Sequence, residues 1–154
     1  MKSSNLATLN TDYILRPPQN DDEWAAYHAI RRAVLFENRG QIGVYVENHP
    51  DESKPNNYPL VLVHSGVIIG VIRVDIDQRV AWFRRVAIRH DMQSSGHGRW
   101  LLRLAEAFAR DKDCVEIRSN VDRDAIGFYV RCGYAADTST TDQPGSASMR
   151  KELR

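Results

Sequence analysis

The chain is poor in the features that mark several large protein classes. It has two cysteines in 154 residues, Cys114 and Cys132, with no Cys-x-x-Cys pair and no Cys/His spacing of a zinc module, which argues against a disulfide scaffold or a structural metal. Both thiols are expected to be reduced and to serve in packing. No apolar run approaches the roughly 20 residues that span a bilayer, and residues 1–10 lack the apolar stretch of a signal peptide. A cytoplasmic protein without a membrane partner is the expectation. Charge of one sign is missing as well, since 21 Lys and Arg stand against 20 Asp and Glu. Nothing therefore draws the whole chain to nucleic acid, and any basic patch has to be local. His90 has no spaced partner for a metal, and no internal repeat is found.

What is present suffices for a core: 42% of the residues are hydrophobic, over a length that suits one domain, residues 1–154, with 1–12 a flexible N-terminal segment. Residues 13–16 read as a first strand, stopped by Pro17 and Pro18. A helix follows, with Asp21 and Asp22 at its start, an apolar stripe of Trp24, Tyr27, Ile30, Val34 and Leu35, and an end at Gly40. A second short helix is expected over 41–48, then a mobile polar loop over 50–57. Strands at 60–64, 67–75 and 80–88, joined by Ser65-Gly66 and Asp77-Gln78, form an antiparallel meander. The next helix sets Trp100, Leu101, Leu104, Ala105 and Phe108 on one side and Arg99, Arg103, Glu106 and Arg110 on the other. A strand at 115–117, a helix at 125–132 and a closing strand at 146–153 complete a mixed α/β sheet with helices on its faces.

Between the third meander strand and its helix lies Gln93-Ser94-Ser95-Gly96-His97-Gly98. The N–H groups of a first helical turn have no intrahelical partners and carry the positive end of the macrodipole, and glycines let a phosphate approach them. Missing letters narrow the phosphate. A dinucleotide fingerprint needs a third glycine where Leu101 stands, and a Walker loop needs Lys and Ser/Thr where Arg99 and Trp100 stand. A serine-hydrolase elbow needs glycine two residues before Ser94 or Ser95, and neither has one.

The six residues match Gln/Arg-x-x-Gly-x-Gly/Ala, and in this the chain resembles the GNAT superfamily of acyl-CoA-dependent N-acyltransferases. Asn120 and the run Asp124-Ala125-Ile126-Gly127-Phe128-Tyr129-Val130-Arg131-Cys132-Gly133-Tyr134 resemble that family's later motif. The segment 30–37 resembles the first helix of a bacterial branch. The resemblance spans about 13–153 and implies a mostly antiparallel GNAT-like sheet flanked by helices.

It also implies a reaction: acetyl transfer from acetyl-CoA, as co-substrate, to a primary amine of a small molecule or peptide. Backbone groups of Val86, Ala87 and Ile88 would hold the pantetheine arm, with an N–H near Val86 or Ala87 polarising the thioester. The N–H groups of Ser95, Gly96, His97, Gly98 and Arg99 would hold the diphosphate in a loop shaped by Gln93 and Ser94. Asn120 would anchor pantetheine, beside Phe128, and Tyr129 would protonate the departing thiolate. Homodimers are common in the family, which leaves a homodimer open.

The resemblance stops short of a general base. Where many relatives carry a strand glutamate this chain has Arg84 and Arg85, leaving Glu37, Asp75, Glu116, His90 or a water as substitutes. The arginines, if they face the cleft, favour an acceptor with a carboxylate or phosphate; on a solvated edge they do not. Tyr129 and the His97 side chain could each be packing residues, and Arg99 and Arg103 could be a solvated helix face or meet CoA phosphates. The lost glutamate also admits a second function, an acyl-CoA-binding sensor or subunit without catalysis.

Overall fold

A computed structural model describes residues 12–137 and 145–153; most of the expected N-terminal segment 1–12 lies outside them. Seven strands form one sheet in the order β1-β2-β3-β4-β5-β7-β6. They are β1 Tyr13–Arg16, β2 Asn57–His64, β3 Val67–Asp77, β4 Val80–Ile88, β5 Glu116–Asp122, β6 Ala135–Ala136 and β7 Ser146–Glu152. Every pairing is antiparallel except β4 with β5.

Strand alternation divides the apolar residues between two faces. Leu60 and Leu62 of β2 enter one core with Phe83, Ile117 and Met149, while Val61 and Val63 enter a second with Tyr27 and Ile30. The first face is covered by α2 (His97–Asp111) and α3 (Ile126–Arg131), the second by α1 (Asp21–Ile30). Asn20 caps α1, its side chain accepting from the Glu23 N–H at 2.9 Å, which satisfies one orphan donor of the first turn.

A bulge in β4 breaks the alternation. Arg73 of β3 pairs with Arg84 and Val71 with Ala87, so the one residue between them on β3 faces two on β4. Arg85 takes a left-handed φ of 56° there, an uncommon angle for a residue with a Cβ. The extra residue flips the phase: Phe83 lies in the first core, and Ala87, four residues on, lies in the second.

Three expectations are corrected. Residues 41–48 form no helix: Gly43 sits at φ 80°, and Ile42, Val44 and Val46 are all exposed, so no apolar stripe has a surface to pack on. The expected polar loop instead contains a 3-10 turn, Pro50–Ser53, which tucks Glu52 against Arg31 at 2.6 Å. Glu106, placed by periodicity on the solvated side of α2, is buried. Its carboxylate accepts from the Tyr134 hydroxyl at 2.7 Å and from Lys151 Nζ at 3.1 Å.

Candidate active site

The site begins where β4 and β5 part. Their parallel register runs from Val80 opposite Glu116 to Phe83 opposite Ser119 and goes no further, though β4 continues to Ile88 and β5 to Asp122. The strands splay into a wedge, and a cleft of about 560 Å³ fills it. Unpaired strand edges offer N–H and C=O groups to any extended ligand that can add as a strand.

The direction of those groups follows from the ladder. The Arg89 N–H donates to Ile69 O of β3 at 2.7 Å, so alternation commits Ala87, opposite Val71, to β3 and turns the backbone groups of Val86 and Ile88 toward the wedge. The Gln93 side-chain amide donates to Ile88 O at 3.0 Å, tying the loop to the end of the open edge.

Of the residues singled out from the sequence, Val86, Ala87, Ile88, Gln93, Ser94, Gly98, Asn120, Phe128 and Tyr129 line the cleft. Ser95, Gly96, His97 and Arg99 are not among its walls. Gly96 precedes α2 at φ 88°, an angle that suits glycine, and Gly98 in the first turn of the helix lines the cleft. The His97 ring turns away, Nδ1 lying 2.7 Å from the Tyr13 hydroxyl and the ring against His64; burial lowers its pKa. The Arg99 side chain lines a smaller recess beside Cys132 and Lys151.

Tyr129 is buried against Phe128 and Tyr134 in edge-on contacts. Burial pushes its phenol up to about 12, against a hydrogen bond with Ser119 that pulls it down. The Ser119 hydroxyl itself donates to Phe83 O at 3.1 Å, at the last paired rung of β4 and β5.

None of Glu37, Asp75, Glu116 and His90 lines the cleft. Asp75 is held by Arg73 at 2.7 and 2.8 Å, and Glu116 by Arg118 at 2.8 Å and Arg150 at 3.0 Å. The carboxylates on the wall are Asp122, ion-paired with Arg39, and the exposed Asp124. Sequence reasoning missed Val34, Leu35, Arg39 and Asp122. The first two reach the cleft because α1 widens into a π-helical stretch, Arg31–Phe36, a distortion frequent at functional sites that side-chain periodicity does not reveal. The adjacent arginines part: Arg84 lies over Trp82 at 4.6 Å, toward Asp75, whereas Arg85 lines the cleft with its guanidinium 5.3 Å from the Phe36 ring centre.

A family model, the acetyltransferase (GNAT) family, matches residues 20–134. The chain belongs to the GNAT acetyltransferase family. As a GNAT protein it is an acyltransferase with a mixed α/β sheet. Among solved structures it is similar to a protein from Lactobacillus plantarum described as a candidate N-acetyltransferase, with 28% identity over 92% of this chain and 97% of that one and a TM-score of 0.75. The fold is shared with the PaiA N-acetyltransferase of Thermoplasma acidophilum bound to coenzyme A, at 18% identity, 92% and 99% coverage and a TM-score of 0.70. It is shared too with a Vibrio cholerae spermidine N-acetyltransferase bound to CoA and spermine, at 16% identity, 93% and 96% coverage and a TM-score of 0.71. No curated protein matches the sequence.

Proposed function

We propose that this GNAT protein moves the acetyl group of acetyl-CoA to the primary amine of a small molecule or peptide. The observation that carries the reading is the wedge: β4 and β5 separate beyond Phe83 and Ser119, and the open edge ends at the glycine loop that starts α2. A pantetheine arm lying along Val86 and Ile88 adds as a strand to β4, and the diphosphate then meets the N–H groups of residues 95–99. Asn120, on the opposite wall, supplies a side-chain amide to the same arm.

The thioester falls near the bulge, where the Val86 N–H faces the wedge and stabilises the oxyanion that develops as the amine attacks the carbonyl carbon. When the C–S bond breaks, the thiolate takes the Tyr129 hydroxyl proton, and solvent returns a proton to the phenolate. A phenol pushed up to about 12 is fully protonated at neutral pH and so carries the proton, while the same shift makes it a weaker acid, so the phenolate passes its charge on to solvent at once.

With the four substitute bases outside the cleft, Asp122 held by Arg39 and Asp124 exposed at the wall, the acceptor loses its proton to solvent at the open mouth. The rate then rises with pH at the acceptor amine's own pKa. The test is release of free CoA thiol from acetyl-CoA across an amine panel, with calorimetry of acetyl-CoA binding alongside. Turnover with at least one amine supports transfer. Binding without turnover, unchanged in Tyr129→Phe, supports instead the acyl-CoA-binding subunit that the lost strand glutamate admits.

A further inference from the structure

Of four neighbouring arginines, Arg31, Arg73, Arg84 and Arg85, Arg85 alone lines the cleft, and the carboxylates around them do not suffice for all four. Arg31 is paired with Glu52 at 2.6 Å and Arg73 with Asp75 at 2.7 Å. Arg84 shares Asp75 at 3.7 Å. Arg85 has no ion pair among the described residues. It is nonetheless held at the wall of the cleft by the left-handed backbone of the bulge, immediately before Val86. Arg85 is exposed to solvent, and partial desolvation with the positive charges of Arg31 and Arg73 lowers its pKa only against that screening. A guanidinium so placed gains from an anion that enters the cleft.

The surroundings indicate which anion. A guanidinium above the Phe36 ring is a planar fork, whose edge matches the two oxygens of a carboxylate. Val34 and Leu35 line the same wall and suit a short apolar remainder. The cleft of about 560 Å³ must also take the pantetheine arm, which leaves space for a small acceptor. A polyamine would bring positive charge to this unpaired one.

We propose that the acceptor is a small amine bearing a carboxylate, bound by Arg85 as a two-point ion pair that holds its amine toward the thioester position. This rests on the acyl-transfer reading above and names the substrate class of that site.

The experiment titrates the CoA-saturated protein calorimetrically with α-, β- and γ-amino acids, with the amide of each, with spermidine and with phosphoethanolamine. At least one amino acid is expected to bind about tenfold or more tighter than its amide, the scale of a charged hydrogen-bonded pair. Arg85→Gln removes that difference, and Arg84→Gln, on the far side of the strand, keeps it. Equal binding of acids and amides, no binding by any acid, a preference for spermidine or phosphoethanolamine, or an acid preference that survives Arg85→Gln overturns the proposal. So does an Arg85-dependent preference for succinyl-CoA over acetyl-CoA without acid–amide discrimination, because the carboxylate then belongs to the acyl group. Failure of the underlying reading has a separate signature: no CoA binding in the first titration, or no thiol release from acetyl-CoA with any bound amine.

Discussion

Gly98 and Phe128 are packed so closely that a Cβ on Gly98 would stand 3.1 Å from Phe128 Cζ. The first turn of α2 and the ring of α3 thus meet where the glycine loop enters the cleft, and both residues line it. Gly98→Ala forces the ring to yield by a few tenths of an ångström at the wall of the space proposed for the cofactor. Alanine also gains up to about 1 kcal/mol of helix propensity over glycine. Thermal stability is therefore expected to stay within about 1 kcal/mol of the parent while acetyl-CoA affinity falls by about tenfold; paired melting and calorimetry check it.

Tyr129→Phe keeps the ring and removes the proton. We expect kcat/KM to fall by about 100-fold, with acetyl-CoA affinity unchanged. Because the phenol is pushed up to about 12, the parent's pH–rate profile has no descending limb from this group until pH approaches that value. Its ascending limb follows the acceptor, shifting when amines of different pKa are compared. A limb fixed at one pH for all acceptors would point to an enzyme base.

Glu52 accepts from Arg31 at 2.6 Å and from the Tyr27 hydroxyl at 2.9 Å. Burial acts to raise its pKa, but Arg31, Tyr27 and Arg73 outweigh it and hold the carboxyl below its ordinary 4.5. A depressed carboxyl stabilises the fold fully above its ordinary value, and that contribution disappears as pH falls through the lowered one. Glu52→Gln leaves Arg31, whose Nε already lacks a partner, as an uncompensated buried charge. A loss of about 3 kcal/mol is expected near pH 7, narrowing below pH 4.5; denaturant titrations at several pH values measure both.

Tyr134→Phe removes the hydroxyl that donates to buried Glu106 at 2.7 Å, leaving Lys151 at 3.1 Å as its remaining partner. The expected cost is about 2 kcal/mol, read by urea unfolding.

Much of this was legible from residue patterns because the patterns reflect local physics. Apolar runs at 60–63 and 80–83, bounded by the short turns Ser65-Gly66 and Asp77-Gln78, placed the strands, and the missing Cβ atoms of Gly96 and Gly98 marked the loop. The rest depends on contacts that periodicity does not encode. The bulge at Arg85 reverses which residues of β4 face each core, and so decides which of Arg84 and Arg85 reaches the cleft. The π-helical stretch turns Val34 and Leu35 into the cleft without any signature in spacing. Glu106 looked solvated because its partners, Tyr134 and Lys151, come from 28 and 45 residues away. In residues 41–48 Tyr45 packs on His28 and Phe36 while Ile42, Val44 and Val46 stay exposed, so no continuous helical stripe is buried.

A crystal structure with acetyl-CoA bound tests the central claim most directly. The account predicts the pantetheine arm between β4 and β5, hydrogen-bonded to the backbone of Val86 and Ile88, with the diphosphate on the N–H groups of residues 95–99 and the thioester sulfur within reach of the Tyr129 hydroxyl. Acetyl-CoA seated outside the wedge, or its sulfur beyond hydrogen-bond reach of Tyr129, would contradict it.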